Sequence, residues 1–226
     1  MKRAIKISVC IALAIALLIT ARVIIQRQDA KRVWEQFWKG YQRPVGYEKY
    51  TSYTELDSNG STLKGLKDSS GKVVIEAKYF NISRFVCNNR IAIKFTENEA
   101  GYIDRLGNVV VPPRYFLTDD FVSGLGVVTS IDKRGWPLRG VVDVDGNTIL
   151  DTIYHSIAID EDGFILAGLE QGGSKIASDK LKSYENLGWR GIKKYYIFDD
   201  SGRQVSVADF RRWKRVGQNG SVEIED

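Results

Sequence analysis

The chain has a single histidine, His155, so any Ser/His or Cys/His nucleophilic device must use it. Its setting argues against that role. Phe80 and Phe116 follow Tyr79 and Tyr115 just as His155 follows Tyr154, so the imidazole stands where the chain elsewhere places a phenyl ring. Two cysteines are present. Cys10 lies in an apolar N-terminal run, which leaves Cys87 without an intrachain partner. Cys87 falls in a turn slot filled elsewhere by Ser123 and Asp162, the setting of a surface cysteine, with a reactive thiol as the alternative. Asp119-Asp120 and Glu161-Asp162 are isolated acid pairs without the spacing of a calcium loop or another metal site. Gly124-Leu125-Gly126 lacks the strand-to-helix context of a phosphate loop. Phe121 stands where a Gly-x-Ser-x-Gly elbow around Ser123 would need glycine. No catalytic, metal or cofactor site is expected.

The acids that do recur follow a different rule. Asp68, Asp104, Asp143 and Asp199 are each followed three residues later by glycine: Gly71, Gly107, Gly146 and Gly202. This is turn chemistry. Aspartate accepts a hydrogen bond from the backbone two residues on, and glycine takes the positive φ that reverses the chain. An aromatic residue lies eight positions beyond each glycine, at Tyr79, Tyr115, Tyr154 and Phe210. The first three units open with Gly65, Gly101 and Gly140; the fourth has Tyr196 there. Each unit reads as a tight hairpin. A further strand precedes each one: YTSYTEL, RIAIKF, GVVTSI and GFILAGL. The tail SVEIE reads as a closing strand. Pro112 and Pro113 cannot donate to a ladder, so strand pairing is expected to stop there.

These units resemble WG repeats, a bacterial family of β-rich units. The second unit carries the resemblance best, through Gly101, Tyr102, Ile103, Asp104, Gly107, Val110, Val111, Pro112, Pro113 and Tyr115, then Phe121, Gly124 and Leu125. The resemblance covers roughly residues 50–226. The Trp that precedes the opening Gly in the family is absent: Lys64, Ala100 and Arg139 stand there. The resemblance implies binding or scaffolding and no shared catalytic residues. The expected fold is all-β, a tandem array of about four hairpin repeats. One hairpin cannot bury its apolar face alone, so repeats must stack into a twisted or partly propeller-like array with capped ends.

The remaining segments position this body. The formal charge is +5, but the basic surplus lies in residues 1–32, where Lys2, Arg3, Lys6, Arg22, Arg27, Lys31 and Arg32 face only Asp29. The rest is about neutral, which suits a membrane surface and not nucleic acid. After a basic leader (1–6), residues 7–25 are apolar and would span roughly 28 Å as a helix, close to a bilayer core. The reading is a transmembrane anchor with a cleaved signal peptide as its rival. The body, 49–226, is expected to be extracytoplasmic or periplasmic. Within the connector 26–48, Val33, Trp34, Phe37, Trp38 and Tyr41 predict an amphipathic helix over 31–41, packed on the body or lying at the membrane interface.

An insertion, 170–191, lengthens the fourth unit. It carries Lys175, Lys180, Lys182, Tyr184, Trp189 and Arg190, and aromatic and Arg side chains on a protruding loop suit a protein partner. A mobile hairpin tip is the plainer reading. RRWKR at 211–215 is a basic run offset by the acidic tail 223–226. The functional expectation is a membrane-anchored protein that binds a protein partner. The alternatives are a cell-envelope enzyme and an immunity-type or structural protein.

Overall fold

The computed structural model describes residues 17, 19–22, 28, 48–170, 184–185, 192–210 and 212. The expected anchor at 7–25 lies mostly outside them, and the helix at 31–41 and the closing strand SVEIE lie wholly outside. Among the described residues no helix is long and apolar enough to cross a membrane.

The body is built of antiparallel sheets laid down in chain order. After β1 (Glu48–Lys49), the first sheet contains β2 (Thr51–Leu56), β3 (Thr62–Lys67) and β4 (Val73–Tyr79). The second has the order β5-β7-β8-β9, from β5 (Asn81–Ile82), β7 (Ile91–Lys94), β8 (Ala100–Ile103) and β9 (Val109–Tyr115). The intervening β6 (Phe85–Val86) pairs with β1. The third sheet joins β10 (Leu117–Thr118), β11 (Leu125–Ile131), β12 (Pro137–Asp143) and β13 (Thr148–Tyr154). The fourth has the order β14-β15-β17-β16, from β14 (Ser156–Ile159), β15 (Ile165–Glu170), β16 (Tyr184–Glu185) and β17 (Ile192–Phe198). The third strand of one repeat passes a single corner residue and becomes the edge strand of the next sheet. Those corners are Phe80, Phe116 and His155, so His155 holds a structural slot.

The turns form as their chemistry dictates. Asp104 Oδ1 accepts N–H bonds from Leu106 and Asn108 at 2.8 and 2.9 Å, and Gly107, at φ +85°, donates to the Asp104 carbonyl. Asp68, Asp143 and Asp199 repeat the pattern with Gly71, Gly146 and Gly202. Asp57, Asp132 and Asp160 open three further turns of the same kind. The turn glycines also stack the repeats. A Cβ on Gly146 would lie 3.1 Å from the Val110 carbonyl oxygen, and one on Gly202 only 2.7 Å from that of Ile149. Each of these turns therefore rests on the third strand of the repeat before it.

Pairing at Pro112 and Pro113 does break, but the strand runs on and the cause is general. Tyr102 pairs with Val111 and Ala100 with Tyr115, so Gly101 alone faces Pro112, Pro113 and Arg114. Gly65 faces Glu76–Lys78 and Gly140 faces Asp151–Ile153 in the same way. The bulged backbone presses onto the glycine: a Cβ on Gly65 would sit 2.5 Å from the Ile75 carbonyl oxygen. Prolines fit this bulge because its N–H groups have no ladder partner.

The fourth repeat corrects the expectation of a hairpin in every unit. After the Asp199 turn only an isolated bridge, Phe198 to Gln204, precedes a helical turn at 207–210. Ser206 caps it: its hydroxyl accepts the Asp209 N–H at 3.1 Å and donates to the Asp209 carboxylate at 2.5 Å. With no bulged third strand overhead, the opening position need not be glycine, and Tyr196 is fully buried there.

The cores lie between successive sheets. Leu66, Ile75 and Tyr79 of the first meet Ile91, Ile93 and Ile103 of the second. Tyr102 and Val111 meet Val128 and Val142 of the third. Val127, Val141 and Tyr154 meet Ile165, Ala167 and Tyr196 of the fourth. The fourth sheet is closed by Phe210 of the helical turn, packed against Phe164, Tyr195 and Ile197. Each such buried side chain contributes about 1.5–3 kcal/mol. At the other end, the positions equivalent to Ile91, Ile93 and Ile103 hold Thr51, Tyr53 and Lys67. The outward face of the first sheet is thus polar, as a terminal repeat requires.

Candidate functional site

Two places stand out from this regular frame. The first is the tip of the fourth sheet. β15 and β17 pair from Ile165–Phe198 to Glu170–Ile192, so residues 171–191 leave and return at adjacent points of one hairpin. Earlier repeats close the same connection tightly, with Asp57–Gly60, Phe95–Glu99 and Asp132–Gly135. Of the candidate contact residues, Tyr184 is placed, in β16, paired with Tyr195 of β17. Lys180, Lys182, Trp189 and Arg190 lie outside the described residues.

The second place is a cleft of about 260 Å³ between the second and third sheets, which sequence reasoning missed. Asn81, Ser83, Lys94, Thr118, Asp119 and Asp120 line it around an Ala92–Ile93 floor. The acid pair is held from beneath by Tyr102, whose hydroxyl donates to the Asp119 carbonyl at 2.7 Å and the Val127 carbonyl at 3.0 Å. Phe121 packs edge-on against that tyrosine, 4.7 Å between centroids. Gly126 has no side chain because one would collide with both rings. Loss of hydration raises both carboxyls above the usual aspartate range; Arg139 pulls Asp119 back only in part, and Ser83 does the same for Asp120. Asp119 is exposed as a residue, yet the cleft walls crowd its carboxyl. The cleft forms between repeats, so no spacing within one repeat reveals it.

Cys87 departs from expectation. It lies one residue before the turn, bridged to Arg90, where the next repeat has Val122 bridged to Leu125. The turn residues with positive φ are Asn88 and Asn89, matching Ser123 and Gly124. Counting from Tyr79 misplaces Cys87 because the segment before this turn is one residue longer than in the next repeat. The thiol is buried, and desolvation, helped by Asp120, pushes it up to about 11. Among the described residues no group of three or more His, Cys, Asp or Glu side chains could hold a metal ion.

Residues 65–97 and 101–130 match the family described as WG containing repeat. The chain carries WG-containing repeats. Both matches begin at the bulge glycines, Gly65 and Gly101. The same strand arrangement recurs beyond the matched residues, in the third repeat around Gly140 and, without its third strand, in the fourth. No curated relative and no solved structure matches the chain.

Proposed function

We propose that this protein is a binding module in which the stacked repeats form a rigid base and the insertion 170–191 contacts a protein partner. One observation carries the reading. The insertion replaces a connection that is a tight turn in the three earlier repeats, and it is rooted on a paired hairpin, so it is presented from a fixed point. Lys180, Lys182, Tyr184, Trp189 and Arg190 supply the aromatic and cationic side chains that anchor protein interfaces. The apolar run 7–25 supports an anchor that holds the module at a membrane, and the short leader before it favours the body on the extracytoplasmic side.

The test is crosslinking in intact cells followed by solubilisation, capture and mass spectrometry. The full chain is compared with a variant in which 171–191 is replaced by the Asp132–Gly135 turn. The expected result is a specific partner recovered with the full chain and lost with the variant, while both fold alike. Equal recovery by both forms would remove the insertion from the contact.

A further inference from the structure

In the second, third and fourth sheets the outer edge of the leading strand is covered. β5 pairs with β7, β10 with β11 and β14 with β15, always antiparallel, and each covering strand comes from the preceding repeat. Among the described residues no repeat precedes the first sheet. Its leading strand, β2, pairs with β3 on one side and with no strand on the other among the described residues.

The free side of β2 can be read residue by residue. Asp57 donates its N–H to the Ser61 carbonyl, so Glu55 and Tyr53 face β3 in the same alternation. Ser52, Thr54 and Leu56 therefore present N–H and C=O outward. The filled slots show the same parity: Thr129 and Val127, which correspond to Thr54 and Ser52, accept N–H bonds from Phe116 and Asp119. Of the devices that blunt an edge, β2 has only one charged side chain, Glu55. It has no proline, lysine or bulge, and it carries Leu56 at 72% exposure.

We propose that this edge pairs with the same edge of a second copy of the chain, antiparallel about a two-fold axis at Thr54, joining two first sheets into one six-stranded sheet. Charge selects this register. With the axis at Thr54, Ser52 faces Leu56 and Tyr53 faces Glu55 of the second copy. The Lys67 ammonium lies 4.6 Å from the Tyr53 ring centroid, so a cation stands on the same face of the sheet as that glutamate. An axis at Leu56 would set Glu55 against Asp57, and like charges opposite each other are unfavourable. An axis at Ser52 would need the strand to run straight through Tyr50, which turns into the core beside Tyr79 and Ile82. Pairing would use an edge remote from the insertion and does not rest on the partner-binding reading.

The experiment uses the full chain with Cys10→Ser, solubilised in detergent, with Cys87 left in its buried site. Across the axis the Thr54 Cα atoms would lie about 5.5 Å apart, within disulfide reach. Two Leu56 Cα atoms would be offset by about 13 Å along the strands. Mild oxidation should link Thr54→Cys to itself and leave Leu56→Cys unlinked. Ser52→Cys mixed with Leu56→Cys should link. Thr54→Pro removes only an outward N–H and should give a folded monomer by sedimentation; Thr54→Lys should do the same. A monomeric parent chain at every concentration, equal linking at all positions, or a dimer that survives Thr54→Pro and Thr54→Lys would each overturn the proposal.

Discussion

The Tyr53 hydroxyl accepts a hydrogen bond from the Ala77 N–H at 3.1 Å. That amide sits in the bulge of the first repeat, where it has no ladder partner. The second repeat solves the same problem with Pro113, which has no N–H to satisfy.

Tyr53→Phe should therefore cost about 1 kcal/mol, the net worth of a hydrogen bond whose donor is left half-buried. Ala77→Pro should be harmful in the parent chain, where it strands the tyrosine hydroxyl, and less harmful in the Tyr53→Phe background. Urea unfolding of the four chains measures the coupling. Additive effects would show that the two residues do not share this bulge.

The bulge glycines yield a second contrast. A Cβ on Gly101 would collide with the Val111 carbonyl oxygen. Gly101→Ala should destabilise the body by about 3 kcal/mol or more, since backbone must shift. Tyr196→Gly restores the residue the repeat pattern calls for, yet it empties a fully buried site and should cost about 3–5 kcal/mol. Denaturant midpoints of both variants decide the matter; a tolerated Tyr196→Gly would mean that the fourth repeat closes like the others.

What the sequence revealed follows the range of the forces involved. The Asp-x-x-Gly turns and the strands beside them are set by contacts within a few residues, so four of the turns and the repeat order could be read directly. Asp57, Asp132 and Asp160 make the same bonds but fall outside the repeat register, and register hid them. The helical turn at 207–210 had a local signal, Ser206 three residues before Asp209, which the expectation of a fourth hairpin masked. The cleft at Asp119 and Asp120 and the open edge of β2 depend on how one repeat meets the next, or on the lack of a preceding one among the described residues. No local pattern encodes either.

Cys87 should be nearly inert. With its thiol at about 11, roughly one molecule in a thousand carries a thiolate at pH 8, and burial blocks approach as well. Iodoacetamide at pH 8 should label Cys87 only after denaturant is added, as read by mass spectrometry. Rapid labelling of the folded chain would mean that the Cys87–Arg90 turn opens readily.

Asp119 offers a test through pH. Its folded carboxyl holds a proton to higher pH than the same group in the unfolded chain, because the cleft strips water from it. The folded state then binds more protons, so stability falls as pH rises from about 4 through the folded value. Asp119→Asn removes that dependence. It should raise the melting temperature at pH 7, and by progressively less as the pH falls towards 3.5, where the carboxyl is mostly protonated in both the folded and the unfolded chain. Arg139 works against this, since its attraction to the carboxylate is lost with the charge, but the net direction at Asp119 is upward. Thermal unfolding of the two chains from pH 3.5 to 8 reads the difference. A melting temperature lowered at pH 7 would mean that the Arg139 contact outweighs the loss of hydration, and the cleft would then be a paired site and not a desolvated one.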